Sequence, residues 1–175
     1  MKFPNVLFPV CTIMLVVSCK TPVQEQKADE ADHLHESFIE TNRYMRERNR
    51  DHIMAFVNRA GWNMNETPTG LWYEIMEKGE GPRVEKEKFV RYIYTTRLIT
   101  GKICYRADTT APKKIVVGKG NIEAGLEEGL LLMREGGRAR FMIPPYLAHG
   151  NFGDGDCIPG SSVLLIDIEI IEVKR

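Results

Sequence analysis

The sequence has no surplus of charge of either sign: its 175 residues carry 24 Lys and Arg against 24 Asp and Glu. The basic residues do not gather into a stripe, which argues against nucleic acid and anionic membrane surfaces as partners. It lacks an apolar run long enough to cross a bilayer. The longest, Val6 to Val17, is about a dozen residues, against roughly 20 for a spanning helix. Cysteine is scarce, four in all, and no Cys and His residues are spaced as metal ligands. No Ser/His/Asp set suggests a nucleophile. Gly118-Lys119-Gly120 has the look of a phosphate loop, but Glu123 stands where a third glycine would be needed, and no Lys-Ser or Lys-Thr pair follows. Asp154-Gly155-Asp156 lacks the later Glu of a calcium loop. The sequence therefore calls for no metal and no cofactor.

What is present begins with a segment that does not belong to the fold. Lys2 precedes the apolar run, which ends at Val16-Val17-Ser18-Cys19 and turns abruptly polar. This junction resembles the lipobox of bacterial lipoproteins. The resemblance implies a signal peptide over residues 1–18, lipidation at Cys19, and residence in the cell envelope on the periplasmic face of the outer membrane. An ordinary cleaved signal, or a buried Cys in an N-terminal strand, is the alternative; where the segment is cleaved, Cys11 leaves with it. Residues 19–35 are polar and read as a flexible tether. His33 and His35 lie two apart, so on a helix they would not share a face.

A helical segment is expected over residues 36–61. Phe38, Met45, Ile53, Phe56, Val57 and Ala60 form an apolar stripe, and Gly61 stands at the C-terminal cap position. Asn42, Asn49 and His52 interrupt the stripe, with a break conceivable near Asn49. The segment either packs on the following domain or pairs with a copy in a homodimer through residues 36–60. From residue 67 to 175 the pattern changes to strands. Leu71 to Met76, Phe89 to Leu98, Ile103 to Tyr105, Ile115 to Val117, Arg138 to Ile143 and Val163 to Val173 are β-rich, with a short helix before Gly136. The fold class is α+β: a mostly antiparallel sheet wrapped around one short helix, preceded by the helical segment.

Several ordered pieces then converge. They include Thr67-Pro68-Thr69-Gly70-Leu71 with Tyr73, Gly79-Glu80-Gly81, Tyr94, Leu98 and Gly101-Lys102. Val117-Gly118, Gly125-Leu126-Glu127-Glu128-Gly129-Leu130, Met133, Gly136 and Arg138-Ala139-Arg140 continue the series. Ile143-Pro144, Leu147-Ala148-His149-Gly150, Gly153, Ile158-Pro159 and Leu164 complete it. This region resembles the FK506-binding-protein (FKBP) family of peptidyl-prolyl cis-trans isomerases. The resemblance implies rotation about X–Pro bonds in unfolded or exported polypeptides held near the membrane by the lipid. That rotation breaks no bond, so a shaped pocket replaces an acid–base dyad.

By the same resemblance, Tyr94, Cys104, Tyr105, Ile122, Glu123, Leu126, His149, Ile158 and Ile166 fall at proline-pocket positions. Ile122, Leu126 and Ile166 read equally well as core. Cys104-Tyr105 stands where the family carries Phe-Asp, His149 where it carries Tyr, and Leu126 where many members carry Trp. No aromatic residue between Thr110 and Val116 matches the family's second pocket Phe. Reduced or altered activity is therefore expected, with a non-catalytic binding or chaperone module as the alternative function. Because the family fold sets positions 104 and 157 on opposite sides of the pocket rim, a Cys104–Cys157 disulfide is expected in an exported protein. Two independent half-buried thiols remain the alternative.

Overall fold

The computed structural model describes the backbone of residues 22–120 and 122–174, and the side chains from residue 35 onward within that range. The expected signal peptide, and Cys19 with the lipidation expected there, lie outside the described residues. The chain divides into two units, residues 1–41 and 42–175.

Helix α1 spans Pro22–Ala60 without a break at Asn49. It begins well before residue 36, so much of the segment read as tether is helical. Polarity alone misled here. Gln, Glu, Lys and Ala are strong helix formers, and no Gly or Pro interrupts the run from Val23 to Ala60. At its other end, Gly61 takes a positive φ of 68°. The Gly61 N–H donates to the Asn58 carbonyl and the Trp62 N–H to the Val57 carbonyl, a Schellman closure.

The domain that follows is built on seven strands. They are β1 (Asn65–Glu66), β2 (Trp72–Glu77), β3 (Phe89–Leu98), β4 (Ile103–Ala107), β5 (Lys113–Val116), β6 (Arg138–Ile143) and β7 (Leu164–Lys174). All pairings are antiparallel, in the order β1-β2-β6-β7-β3-β4, with β5 continuing beside β3 along the edge used by β4. Strand β7 is central, and its alternation explains the two faces of the sheet. Leu164, Ile166, Ile168 and Ile170 are buried on one side, while Asp167 and Glu169 point to the other. A register shift opposite Arg91 and Tyr92 inserts one extra residue in β7, which is why Val173 rather than Glu172 resumes the buried series.

Helix α2 (Ala124–Leu131) lies in the hollow of the sheet. Leu126, Leu130 and Met133 join Phe141, Ile143, Ile166 and Ile170 in the main core. Close approach depends on absent side chains: a Cβ at Gly129 would stand 2.8 Å from the Phe141 ring. Two glycines in eight helical residues cost about 1 kcal/mol each in propensity. That cost is offset by burying both sides of the contact.

On the other face of the sheet a second cluster forms beneath the last turns of α1. Ile53 and Val57 pack on Trp72, Met142, Val163 and Leu165. Beyond this patch the face is charged. Arg140 stacks over Trp62 at 3.9 Å and donates to Asp167 at 2.8 Å, and Arg97 donates to the other oxygen of Asp167.

Candidate functional site

A cavity of about 370 Å³ opens between the edge of the sheet and the N-terminus of α2. Strand β3 supplies one wall. Tyr92, Tyr94 and Thr96 sit two apart and therefore face the same way, with the two phenol rings 5.6 Å apart. Tyr105 on β4 lies directly opposite Thr96, and Lys113 on β5 directly opposite Tyr92. Direct antiparallel partners share a face, so both side chains reach the same cavity. Gly120, Ile122, Glu123 and Leu126 enter from the loop and first turn of α2, and Ala148 and His149 from the loop after the 3-10 turn Pro145–Leu147.

Polar ties fix the position of that helix end. Glu123 is the N-cap of α2, yet its side chain does not cap the helix. Its Oε1 lies 3.1 Å from Nε2 of His149, and since a carboxylate can only accept, the ring nitrogen donates. Glu127 accepts from the Gly118 N–H, and Glu128 accepts from the Thr69 hydroxyl at 2.7–2.8 Å. Burial raises the pKa values of Tyr92 and Tyr94 above the ordinary phenol value, with the nearby Glu123 charge adding to both. Both phenols are thus neutral donors at neutral pH.

The loop Gly150–Gly160 is braced from below. Cys104 and Cys157 form a disulfide with Cα atoms 5.5 Å apart. Asp154 folds back on its own loop, accepting from the N–H groups of Asp156 and Ile158 at 2.9 and 2.8 Å. Its second oxygen accepts from the Tyr105 hydroxyl. This hydroxyl holds the Asp154 carboxyl down at about 2, and the same bond pushes the Tyr105 phenol up to about 12. Tyr105 thus ties β4 to a carboxylate on the facing loop.

Six of the nine residues expected at the pocket line the cavity: Tyr94, Tyr105, Ile122, Glu123, Leu126 and His149. Three do not. Cys104 lies at a shift in the β3–β4 register and is committed to its disulfide. Ile166 shares the face of Thr96 but sits one strand further in, between Thr96 and Phe141, with no exposed surface. Ile158 is 3% exposed and belongs to the core, its N–H spent on Asp154. Sequence reasoning missed Tyr92, Thr96, Lys113, Gly120 and Ala148. The alternation of β3 around Tyr94 would have found the first two. Finding Lys113 required the β3–β5 register.

The same scaffold is found in known proteins. Residues 81–171 match the family model described as FKBP-type peptidyl-prolyl cis-trans isomerase, about half of the chain. The chain belongs to the FKBP family. It is 34% identical over 107 residues to FK506-binding protein 1A of Neurospora crassa, covering 60% of this chain and 89% of that one. Over 114 residues it is 31% identical to a Haemophilus influenzae protein named as a probable FKBP-type peptidyl-prolyl cis-trans isomerase. That match covers 65% of this chain and 47% of the relative, so the chain spans about half the length of that protein. The crystal structure of FkpA from Escherichia coli superposes with a TM-score of 0.65 at 28% identity, covering 87% of this chain and 71% of FkpA. Within this FKBP domain the cavity lies at the N-terminus of the central helix, walled by β3, β4 and β5.

Proposed function

We propose that this FKBP domain is a peptidyl-prolyl cis-trans isomerase acting on exported polypeptides, held at the bacterial envelope by a lipid on Cys19. The observation that carries the reading is the cavity itself. Leu126, 3% exposed, offers an apolar floor beneath the phenols of Tyr92 and Tyr94, at the end of a helix clamped by three carboxylates. An X–Pro bond resists rotation by up to roughly 18–20 kcal/mol because twisting removes amide resonance. A fixed, partly apolar site that fits the twisted form better than the planar one lowers that barrier without proton transfer. NMR exchange spectroscopy on an X–Pro tetrapeptide tests the reading. Catalytic amounts of the protein should raise cis–trans exchange well above the buffer rate, and exchange left at the buffer rate overturns it. Mass spectrometry of the N-terminal peptide from membranes tests the tether, with diacylated or triacylated Cys19 expected.

One feature of the cavity favours a second reading. Tyr105, Lys113 and His149 make its rim polar. A polar rim suits a binding module that retains unfolded chains without turning them over. Suppressed aggregation of a denatured client with no accelerated exchange would select it. In either reading α1 is offered as a dimerisation arm, supported by Phe38 and Ile39, which are 66% and 55% exposed on a long helix. Sedimentation velocity at rising concentration, with Phe38→Glu as the control, tests it.

A further inference from the structure

The charged groups around the cavity are unequally satisfied. Glu123 and His149 answer each other at 3.1 Å. Behind Tyr105, Asp154 has one oxygen on the Tyr105 hydroxyl and the other on two backbone N–H groups. Lys113 also lines the cavity, is exposed, and has no carboxylate at salt-bridge distance among the described residues. Its position is not a loose one. It opens β5 in register with Tyr92, which fixes its Cα against the buried wall and leaves only the stem and ammonium free to reach the rim.

From this imbalance we infer that Lys113 is a specificity-determining residue, favouring proline sites flanked by an acidic residue. The inference rests on the isomerase reading of the same cavity. A proline ring seated on Leu126 places its neighbours about 3.8 Å along the chain, at the rim rather than on the floor. An acidic side chain there meets an unpaired ammonium. A basic one meets that ammonium too, while the Glu123 carboxylate that could compensate is already engaged by His149. The rim is solvated, so the preference is modest, about two- to fivefold, and shrinks with added salt.

The test uses neutral-capped tetrapeptides that carry Glu, Gln or Lys immediately before or after proline. Exchange rates and NMR-titrated affinities are measured for wild type, Lys113→Met and Lys113→Glu. Gln is isosteric with Glu, so their ratio isolates charge. Wild type should favour Glu over Gln about two- to fivefold at one or both positions. Lys113→Met should bring the ratio to unity, and Lys113→Glu should favour the Lys peptide. Equal rates and affinities across the peptides in wild type, or ratios unmoved in Lys113→Met, overturn the inference and leave the isomerase reading standing. A Glu preference in affinity that depends on Lys113, with no accelerated exchange, does the reverse. If no peptide binds, both fall.

Discussion

Replacing Cys104 and Cys157 by alanine removes the one covalent constraint on the loop that borders the cavity. The bridge joins residues 53 apart in sequence. In the chain-entropy treatment, closing a loop of that size in the unfolded ensemble is worth about 4 kcal/mol at 25 °C. Alanine also removes the half-buried Cys104 sulfur packed against the main core, at a further cost of a few tenths of a kcal/mol. Against a total stability of roughly 5–15 kcal/mol, this is a large fraction. With a urea m-value of about 1.5 kcal/mol/M, the double variant should unfold roughly 2–3 M earlier than the oxidised protein. Oxidised wild type, wild type in excess reductant and the double variant should be compared by circular dichroism in the same buffer. The reduced protein and the double variant should fall close together. A double variant within 1 kcal/mol of the oxidised protein would refute the reasoning. It would mean that the Asp154 turn and the Gly153–Pro159 bridge already confine the loop, with the disulfide adding only redundancy.

Three further outcomes follow from named contacts. Gly129→Ala sets a methyl 2.8 Å from the fully buried Phe141 ring and should cost about 1–3 kcal/mol despite the better helix propensity; a stabilised variant in urea unfolding would contradict the packing. Ile53→Ala empties a site 1% exposed beneath α1 and should cost about 2–4 kcal/mol, and a loss under 1 kcal/mol would mean that α1 is not docked there in solution. The Tyr105–Asp154 bond predicts a pH window. Asp154 is depressed from 3.8 to about 2, so its contribution is complete above about pH 4 and is lost as pH falls through 2. Tyr105 is raised from 10.0 to about 12, so its contribution is complete below about pH 10 and is lost as pH rises through 12. The stability gap between wild type and Tyr105→Phe should be flat from pH 4 to 10 and narrow on both sides; a gap that does not narrow would remove the bond from the account.

The longer strands were legible because each carries its own period, whereas the two-residue β1, in a polar, turn-rich stretch, was not. Phe89–Leu98 and Arg138–Ile143 match the sequence reading residue for residue, and β7 shows its alternation directly in Leu164, Ile166, Ile168 and Ile170. The start of α1 was not legible, because a polar helix and a polar coil share a composition and differ only in what the backbone does. Within the cavity, Ile122, Glu123 and Leu126 were placed by the family resemblance, carried by the motif of the short helix they open. Lys113 depended on which strand residue faces which, a long-range β3–β5 pairing with Tyr92 that leaves no local signature. Ile166 and Ile158, also expected at the pocket, are buried in the core rather than on the cavity lining, a depth that position along the chain does not reveal.

The placement of charge explains how the cavity can change its lining without losing its shape. Glu123, Glu127 and Glu128 crowd the N-terminal part of α2, where the helix dipole favours carboxylates, and each is spent on a different partner. Glu127 binds the loop from β5, Glu128 the segment leading into β2, and Glu123 the loop that carries His149. The helix end that forms the floor is therefore located by three polar ties, one of them to His149 on the rim, and by Leu126 and Leu130 in the core. A rim position such as Lys113 contributes little to that placement and can change its side chain at small cost in stability, whereas Tyr105 also carries the bond to Asp154. In an FKBP domain arranged this way, selection on which chains are bound can proceed at the rim while the floor stays fixed.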